Sequence, residues 1–393
     1  MIMNTAPDHL LGERGMILIT VLLLLSLLMA AGMGAVVSVQ NDFRMTANLR
    51  SGTAASYLAD AGIEWSKQRI AGAMMMPLIL SDGTQGLPPG SYSVSFLSST
   101  QTSPLNVSVV LRSVGSAHNA SQIVHARVTK TYDLADGAVA LRGNARGINF
   151  AGSSFLISGL DHDLISGVPL VGSRPRAGIT AATIAVLNQV SGALDHVQRG
   201  NIAGEDGNRA AIAASDRIPA DDVARIASDL CAAPHAVVST VPSVGSLSVV
   251  SQAWGSRATP QLRCVNGLPG SGDSVVFGAN SGGAGVLVVR DAEMVLTGDF
   301  RWEGLIIVSG GDVGFRVADA TNKEVFGALI IHESGNAAGS GPALLNIQGA
   351  LRARFSRQAL NLAAPLVPAA TLTASYAVLP FMLKQDYWRS ISP

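Results

Sequence analysis

The chain has 393 residues, enough for two or three domains or for one domain plus an elongated array. Lysine plus arginine and aspartate plus glutamate each number 27, so no overall positive field favours nucleic acid as a partner. Charged residues make up only 14% of the chain and glycines number 42, which favours a β-rich protein with many turns outside the cytoplasm.

A long apolar segment follows a polar leader of residues 1–15. No charged residue occurs between Arg14 and Asp42. A bilayer core requires roughly 20 apolar residues in a helix, and residues 16–39 satisfy this requirement. A removable signal peptide is the alternative, but its apolar region is shorter, so we favour a retained membrane anchor. The leucines that mark this membrane segment are Leu18, Leu22, Leu25 and Leu28.

Helical periodicity continues beyond the membrane segment. Apolar residues recur at spacings of three, four and seven, which is one face of an α-helix. The sequence therefore predicts one continuous helix over residues 16–70, with its second half packed on a soluble domain. The residues of the predicted apolar stripe are Phe43, Ala47, Ala54, Leu58, Ala61 and Trp65.

Three runs with alternating apolar residues follow within residues 71–131. Period-two alternation between turn residues predicts an antiparallel meander with one buried face, on which the helix docks. The alternating residues are Tyr92, Val94 and Phe96, then Val107, Val109 and Leu111, then Val124, Ala126 and Val128.

A leader ending in glycine, an uncharged apolar helix and an amphipathic extension resemble the layout of type IV pilins and pseudopilins. The segments around Met45 and Asn48, and around Asp60 and Gly62, resemble the N-terminal module of PilX-type minor pilins. This resemblance implies a structural component of a type IV pilus or related secretion filament, with other pilins or pseudopilins as partners. It also implies a single pass through the bacterial inner membrane, with the bulk of the chain periplasmic or on the cell surface in a pilus.

By the same resemblance, prepilin peptidase cleaves between Gly15 and Met16. One position departs from the major pilins, which carry glutamate at the fifth mature position, where this chain has Thr20. Without that carboxylate, pairing with the N-terminal amine of a neighbour is lost. A tip, a priming complex or a permanently membrane-embedded role remains open.

Beyond residue 131 we expect a β-rich, solenoid-like region, so the predicted fold class is α+β. Its start spans residues 132–175, a helical insertion spans 176–233 and the main solenoid-like part spans 234–393. Within the insertion, residues 181–190 have helical spacing, and Pro219 with two acids opens a second helix. Further short strands are predicted at residues 137–141, 148–150, 155–157, 294–296 and 315–317.

A glycine followed by apolar residues recurs at intervals of about 20 residues, which favours stacked parallel coils over an irregular sandwich. The copies begin at Gly285, Gly304 and Gly327, with a weaker one at Gly349. The end of the chain, with a strand in residues 376–383 and an aromatic tail at 387–389, is expected to cap the last coil.

Cys231 and Cys264 match no zinc spacing, so they form either one disulfide or two unrelated buried thiols. The residues Asp161, His162 and Asp163 are the best candidates for a reactive cluster, although a solvated turn is the more economical interpretation. Met74, Met75 and Met76 are interpreted as helix-end packing. We therefore expect no enzyme activity, metal or cofactor.

Three functional hypotheses remain. The leading one is a PilX-like structural protein of a filament. The second is a membrane-tethered adhesin or carbohydrate-binding solenoid outside a pilus. The third is a tethered carbohydrate-active enzyme with Asp161 in its site.

Overall fold

The computed structural model describes residues 10–73, 78, 80–143, 147–205, 211–242, 245–335 and 341–391, with side chains from Met16 onward. Residues 1–9 of the leader and Met74, Met75 and Met76 lie outside the described residues. The described chain combines one long helix, an antiparallel sheet and parallel sheets. This architecture confirms the predicted α+β fold class.

The first helix is continuous from the apolar segment into the soluble domain. It begins at Leu10, earlier than expected, so the backbone at Gly15 is already helical. The antiparallel meander predicted from alternation follows it, with an additional strand in front. These elements are α1 (Leu10–Gly72), β1 (Gly83–Leu87), β2 (Gly90–Ser103), β3 (Asn106–Ala117) and β4 (Ala120–Tyr132).

The next part of the chain alternates short strands with helices. Its elements are β5 (Gly137–Gly143), β6 (Ile148–Phe150), β7 (Leu156–Ser158), β8 (Ala177–Ala181), α2 (Ile184–Ala193), α3 (His196–Arg199), β9 (Ile202–Ala203), β10 (Ile212–Ala214) and α4 (Ala220–Cys231). The two helices predicted here are present as α2 and α4, each displaced by a few residues.

A regular series of strands follows. They are β11 (Val237–Thr240), β12 (Ser246–Val249), β13 (Ala253–Trp254), β14 (Gln261–Asn266), β15 (Ser274–Phe277), β16 (Ser281–Arg290), β17 (Glu293–Leu296), β18 (Phe300–Gly310), β19 (Gly314–Val317), β20 (Lys323–Glu333), β21 (Leu345–Ile347) and β22 (Arg352–Phe355). The chain ends with α5 (Arg357–Ala363), a 3₁₀ turn (Ala364–Leu366), α6 (Ala369–Ser375) and β23 (Phe381–Ile391).

All pairings among β5 to β22 are parallel, and the strands form three faces of a coiled stack. The first face contains β13, the first halves of β16, β18 and β20, and then β22, β7 and β9. The second face contains β11, β14, the second halves of β16, β18 and β20, and then β5, β8 and β10. The third face contains β12, β15, β17, β19, β21 and β6. The short strands predicted in this region are therefore organised as parallel sheets on three faces.

The repeated glycines are corners of this stack. Gly285, Gly304 and Gly327 lie in register with φ of 119°, 141° and 121°. A Cβ at Gly304 would overlap the carbonyl oxygen of Gly285, so each long strand turns from the first face to the second at a glycine. The expected fourth copy at Gly349 is wrong, because Gly327 pairs with Phe355 and β22 begins only at Arg352.

The order of the coils corrects the predicted domain limits. The coil of β5, β6 and β7 stacks directly on the coil that ends with β22, so strands from the predicted segments 132–175 and 234–393 belong to one stack. Residues 176–233 are not a separate helical insertion, since β8, β9 and β10 extend the same faces. The sequence carries no periodic signal for this order of coils, because the paired strands lie far apart in the chain.

Helix α4 returns along the second face and contacts β14, β16, β18 and β20. At its end, Cys231 forms a disulfide with Cys264 of β14, with a Cα–Cα distance of 5.6 Å. The disulfide fixes the returning helix to one end of the stack.

The last strand leaves the stack entirely. β23 pairs antiparallel with β4, from Phe381 opposite Tyr132 to Ile391 opposite Ile123. The expectation that the chain end caps the last coil is therefore wrong. β3 pairs with one edge of β4, and β23 pairs with the backbone groups of the other edge. The whole parallel stack is inserted between two adjacent strands of the antiparallel sheet.

Candidate functional site

Helix α1 is exposed along its first part and packs on the antiparallel sheet along its second part. Every side chain from residue 16 to residue 50 is exposed, including Leu18, Leu22, Leu25 and Leu28. By length and composition, α1 is long and apolar enough to cross a membrane, with a most apolar window of mean hydropathy 2.6. An exposed helix of this composition requires lipid or other apolar helices around it.

The hydroxyl groups of Thr20 and Ser26 within the apolar segment are satisfied by their own helix. Thr20 Oγ1 donates to the carbonyl oxygens of Met16 and Ile17 at 3.0 and 2.9 Å. Ser26 Oγ donates to the carbonyl oxygen of Leu23 at 2.8 Å. These residues add no unpaired polar group to the apolar surface, which suits a hydrocarbon environment.

The four residues of the pilin-like motif lie in two different places. Met45 and Asn48 are exposed on the part of α1 between the apolar segment and the sheet. Asp60 and Gly62 lie where α1 packs on the antiparallel sheet, and Gly62 is buried. Phe43 of the predicted stripe is 70% exposed, so helix docking starts later than expected, near Ala55.

The contact between α1 and β3 is close enough to exclude side chains. A Cβ at Gly115 would overlap the carbonyl oxygen of Ala55 and crowd the amide nitrogen of Ala59. Beside it, buried Ser113 donates from Oγ to the carbonyl oxygen of Ala59 at 2.8 Å. Because a methyl group at Gly115 cannot fit, this position fixes the distance between helix and sheet.

Lys130 of β4 caps the end of α1. Its Nζ donates to the carbonyl oxygens of Ile70, Ala71 and Ala73 at 3.0, 3.0 and 2.7 Å. The terminal carbonyls of a helix lack partners within the helix and carry partial negative charge, so a buried ammonium group fits them. Burial lowers the pKa of Lys130 to about 8. In the sequence, this role of Lys130 is indicated only by its place in the buried alternation of β4.

A cluster of ion pairs joins the antiparallel sheet to the parallel stack. Asp133 directly follows β4 and accepts from Arg357 Nε at 2.8 Å and from Arg176 Nε at 3.0 Å. Arg357 also donates from Nη1 to Asp161 Oδ2 at 3.0 Å. All four side chains are largely buried, so removal of one partner would leave an uncompensated charge.

The candidate reactive cluster does not converge on one centre. Asp161 is bound to Arg357, whereas Asp163 accepts from the amide and hydroxyl of Ser166 in a local turn. His162 is buried, its Nδ1 lies 2.6 Å from the carbonyl oxygen of Leu160, and burial lowers its pKa. The interpretation as a solvated turn holds for Asp163 alone. Among the described residues, no group of three His, Cys, Asp or Glu side chains is placed to hold a metal ion.

No protein-family model and no curated protein matches this sequence. Among solved structures, the chain is similar to the crystal structure of the competence-associated pilin ComZ from Thermus thermophilus. The match has 12% identity and a TM-score of 0.29, and it covers 87% of this chain and 97% of that chain. Because identity and TM-score are both low, the functional argument rests on the geometry of this chain.

Proposed function

We propose that this protein is a PilX-like minor pilin or pseudopilin. In this role it is a structural component of a type IV pilus or related secretion filament and performs no catalysis. The observation that carries the proposal is the division of α1, which is exposed over residues 16–50 and packed on the antiparallel sheet beyond them. A helix built in this way holds a rigid soluble domain at a fixed distance from a membrane.

The segment of α1 between the apolar run and the sheet supports lateral assembly. Residues 40–50 would span about 16 Å at ~1.5 Å per residue. Phe43, Met45 and Leu49 are exposed there, at 70%, 59% and 66%. Exposed apolar side chains outside the bilayer favour burial against neighbouring helices, and the helices of other pilins or pseudopilins would supply that surface.

In this proposal the parallel stack is the projecting part. It sits between β4 and β23, and the ion pairs of Asp133 hold it to the sheet that carries α1. The bulk of the chain would lie in the periplasm or on the cell surface, where the disulfide between Cys231 and Cys264 is chemically stable.

Processing by prepilin peptidase tests the proposal. Gly15→Glu should block cleavage in cells that carry the peptidase, so the variant keeps its leader and migrates above the mature protein on a gel. Gly12→Glu places the same charge in the leader away from the cleavage site and should be processed normally. Equal mobility of the Gly15→Glu variant and the parent would contradict the proposal, as would absence of the parent protein from sheared filaments.

A further inference from the structure

An open trough lies on the outer side of the first face. Around β20 and β22 this face is covered, because Leu164 and Ala359 pack on Phe326. Towards β13 the cover ends and leaves a trough of about 550 Å³ over β13 and the first halves of β16 and β18. The trough belongs neither to the membrane helix nor to its contact with the sheet.

The floor of the trough is bare backbone. Gly282 and Gly283 lie in β16, and a Cβ at Gly283 would overlap the carbonyl oxygen of Trp254 on the neighbouring strand. Neither glycine carries a side chain, so a flat ligand has access to the backbone at these two positions, beside Arg301, which is in register with Gly282.

Ion pairs form rigid walls beside that floor. Glu303 accepts from Arg257 Nη2 at 2.7 Å and from Arg301 Nε at 2.9 Å. Arg301 also donates from Nη1 to Glu324 Oε2 at 2.9 Å. The arginine side chains are 42% and 45% exposed, whereas Glu303 is 9% exposed. The carboxylates therefore orient the guanidinium groups, and the guanidinium groups face the solvent.

Several polar groups of the trough have no partner among the described residues. They are Nη1 of Arg257, Nη2 of Arg301 and the side-chain amides of Asn280 and Asn322. Guanidinium groups donate only, whereas each amide both donates and accepts. A ligand that satisfies all of them needs closely spaced groups that act both as donors and as acceptors.

The charges of the trough are of both signs and favour a neutral ligand over a polyanion. Its two arginines face three carboxylates, those of Asp299, Glu303 and Glu324. These charges sum to a net formal charge of about −1, so an acidic polymer gains no overall attraction from the groove. An apolar peptide would find no exposed aromatic ring in this lining, since its one aromatic residue, Phe300, is buried.

We propose that this trough binds a neutral glycan. Sugar hydroxyls donate and accept at short intervals, carry no charge and lie on a flat ring that suits the glycine floor. This site is independent of filament assembly: the chain would bind the glycan whether or not its leader is cleaved.

Binding by the full chain tests the proposal. The protein is purified in lauryldimethylamine oxide, because maltoside and glucoside detergents present sugars of their own. The neutral probes are maltohexaose, cellohexaose and chitohexaose, and hexagalacturonate is the acidic probe. At least one neutral probe should bind, and hexagalacturonate should bind more weakly than that probe.

Two variants locate the binding. Asn322→Trp fills the trough from an exposed position and should raise the Kd by about tenfold or more, equivalent to ~1.4 kcal/mol. Asn361→Trp at an exposed position of α5 is the matched control and should bind as the parent does. If Asn322→Trp fails to fold by circular dichroism, Asn280→Gly serves instead, since glycine accepts the φ of 55° at that position. Absence of binding by every neutral probe, equal binding by the folded trough variant, or preference for hexagalacturonate would overturn the proposal.

Discussion

Trp388 Nε1 donates a hydrogen bond to Asp60 Oδ1 over 3.0 Å, although the two residues are 328 positions apart. Asp60 lies on the first helix and Trp388 on the last strand. The bond therefore joins both ends of the chain at the surface of the antiparallel sheet. The parallel stack lies between β4 and β23 in the chain, whereas these two strands are neighbours in the antiparallel sheet.

A double-mutant cycle should detect this bond. Asp60→Ala and Trp388→Phe each remove one partner, and we expect a coupling free energy of about 0.5 to 1 kcal/mol because both groups are partly exposed. Chemical denaturation of the four proteins in detergent measures it. Additive effects of the two substitutions would show that the bond contributes nothing to stability.

Gly115→Val should disrupt the packing of α1 on the sheet. The added side chain overlaps backbone atoms of Ala55 and Ala59, and we expect a loss of about 2 to 4 kcal/mol. Limited proteolysis and thermal unfolding report the change. Gly86→Val on β1 is the matched control, because a Cβ there meets no atom within 4 Å. Equal stability of the two valine variants would contradict the close approach.

Lys130→Met should destabilise the end of α1. The substitution keeps an unbranched apolar stem but removes the side-chain donor of the Ile70 and Ala71 carbonyls, at a cost of about 1 to 3 kcal/mol. The carbonyl of Ala73 keeps Tyr132 Oη as a donor at 3.3 Å. Urea unfolding is the measurement, with Lys384→Met on the exposed strand β23 as the control. A stability loss no greater than that of the control would rule out the cap.

Loss of the disulfide should weaken the parallel stack. Cys231 and Cys264 close a loop of 33 positions, for which the chain-entropy relation gives about 3 to 4 kcal/mol. The double variant Cys231→Ala with Cys264→Ala should unfold at lower temperature than the oxidised parent. Reductant should leave the unfolding temperature of the double variant unchanged and should lower that of the parent. A parent whose unfolding is unchanged by reductant would argue against the bond in the native protein.

The protein should lose stability in mild acid because of buried histidines. Burial lowers the pKa of His332 below its ordinary 6.5, while Nδ1 lies 2.9 Å from Ser309 Oγ. Below pH 6.5 the unfolded chain binds a proton that the folded chain resists, so the free energy of unfolding falls as the pH falls. His332→Asn should reduce the dependence of the free energy of unfolding on pH. The dependence that remains includes the contribution of His162, because burial lowers its pKa as well. An unchanged slope in the variant would assign the acid sensitivity to other groups.

Local patterns in the sequence predict the elements whose partners are near in the chain. The apolar run that contains Leu22 predicts the membrane segment, and the alternation that contains Val109 predicts the meander. The spacing of Gly285, Gly304 and Gly327 predicts parallel coils, because every coil must turn its corner at the same register.

Pairings over long distances in the chain were not predictable in this way. Nothing local distinguishes a strand near Trp388 that caps a coil from one that returns to β4. Asp133 and Arg357 carry no motif, although together they hold the two parts of the protein in place. Lys130 is a charged residue at a position that the alternation predicts to be apolar, and its bonds to the end of α1 explain it.

The N-terminal residue of the mature protein, isolated from its native membrane and determined by sequencing or intact mass, tests the central proposal most directly. We predict Met16 as the first residue of a protein that stays with the membrane or with filaments. A freely soluble protein that begins beyond residue 35 would contradict the proposal and identify the apolar helix as an ordinary export signal.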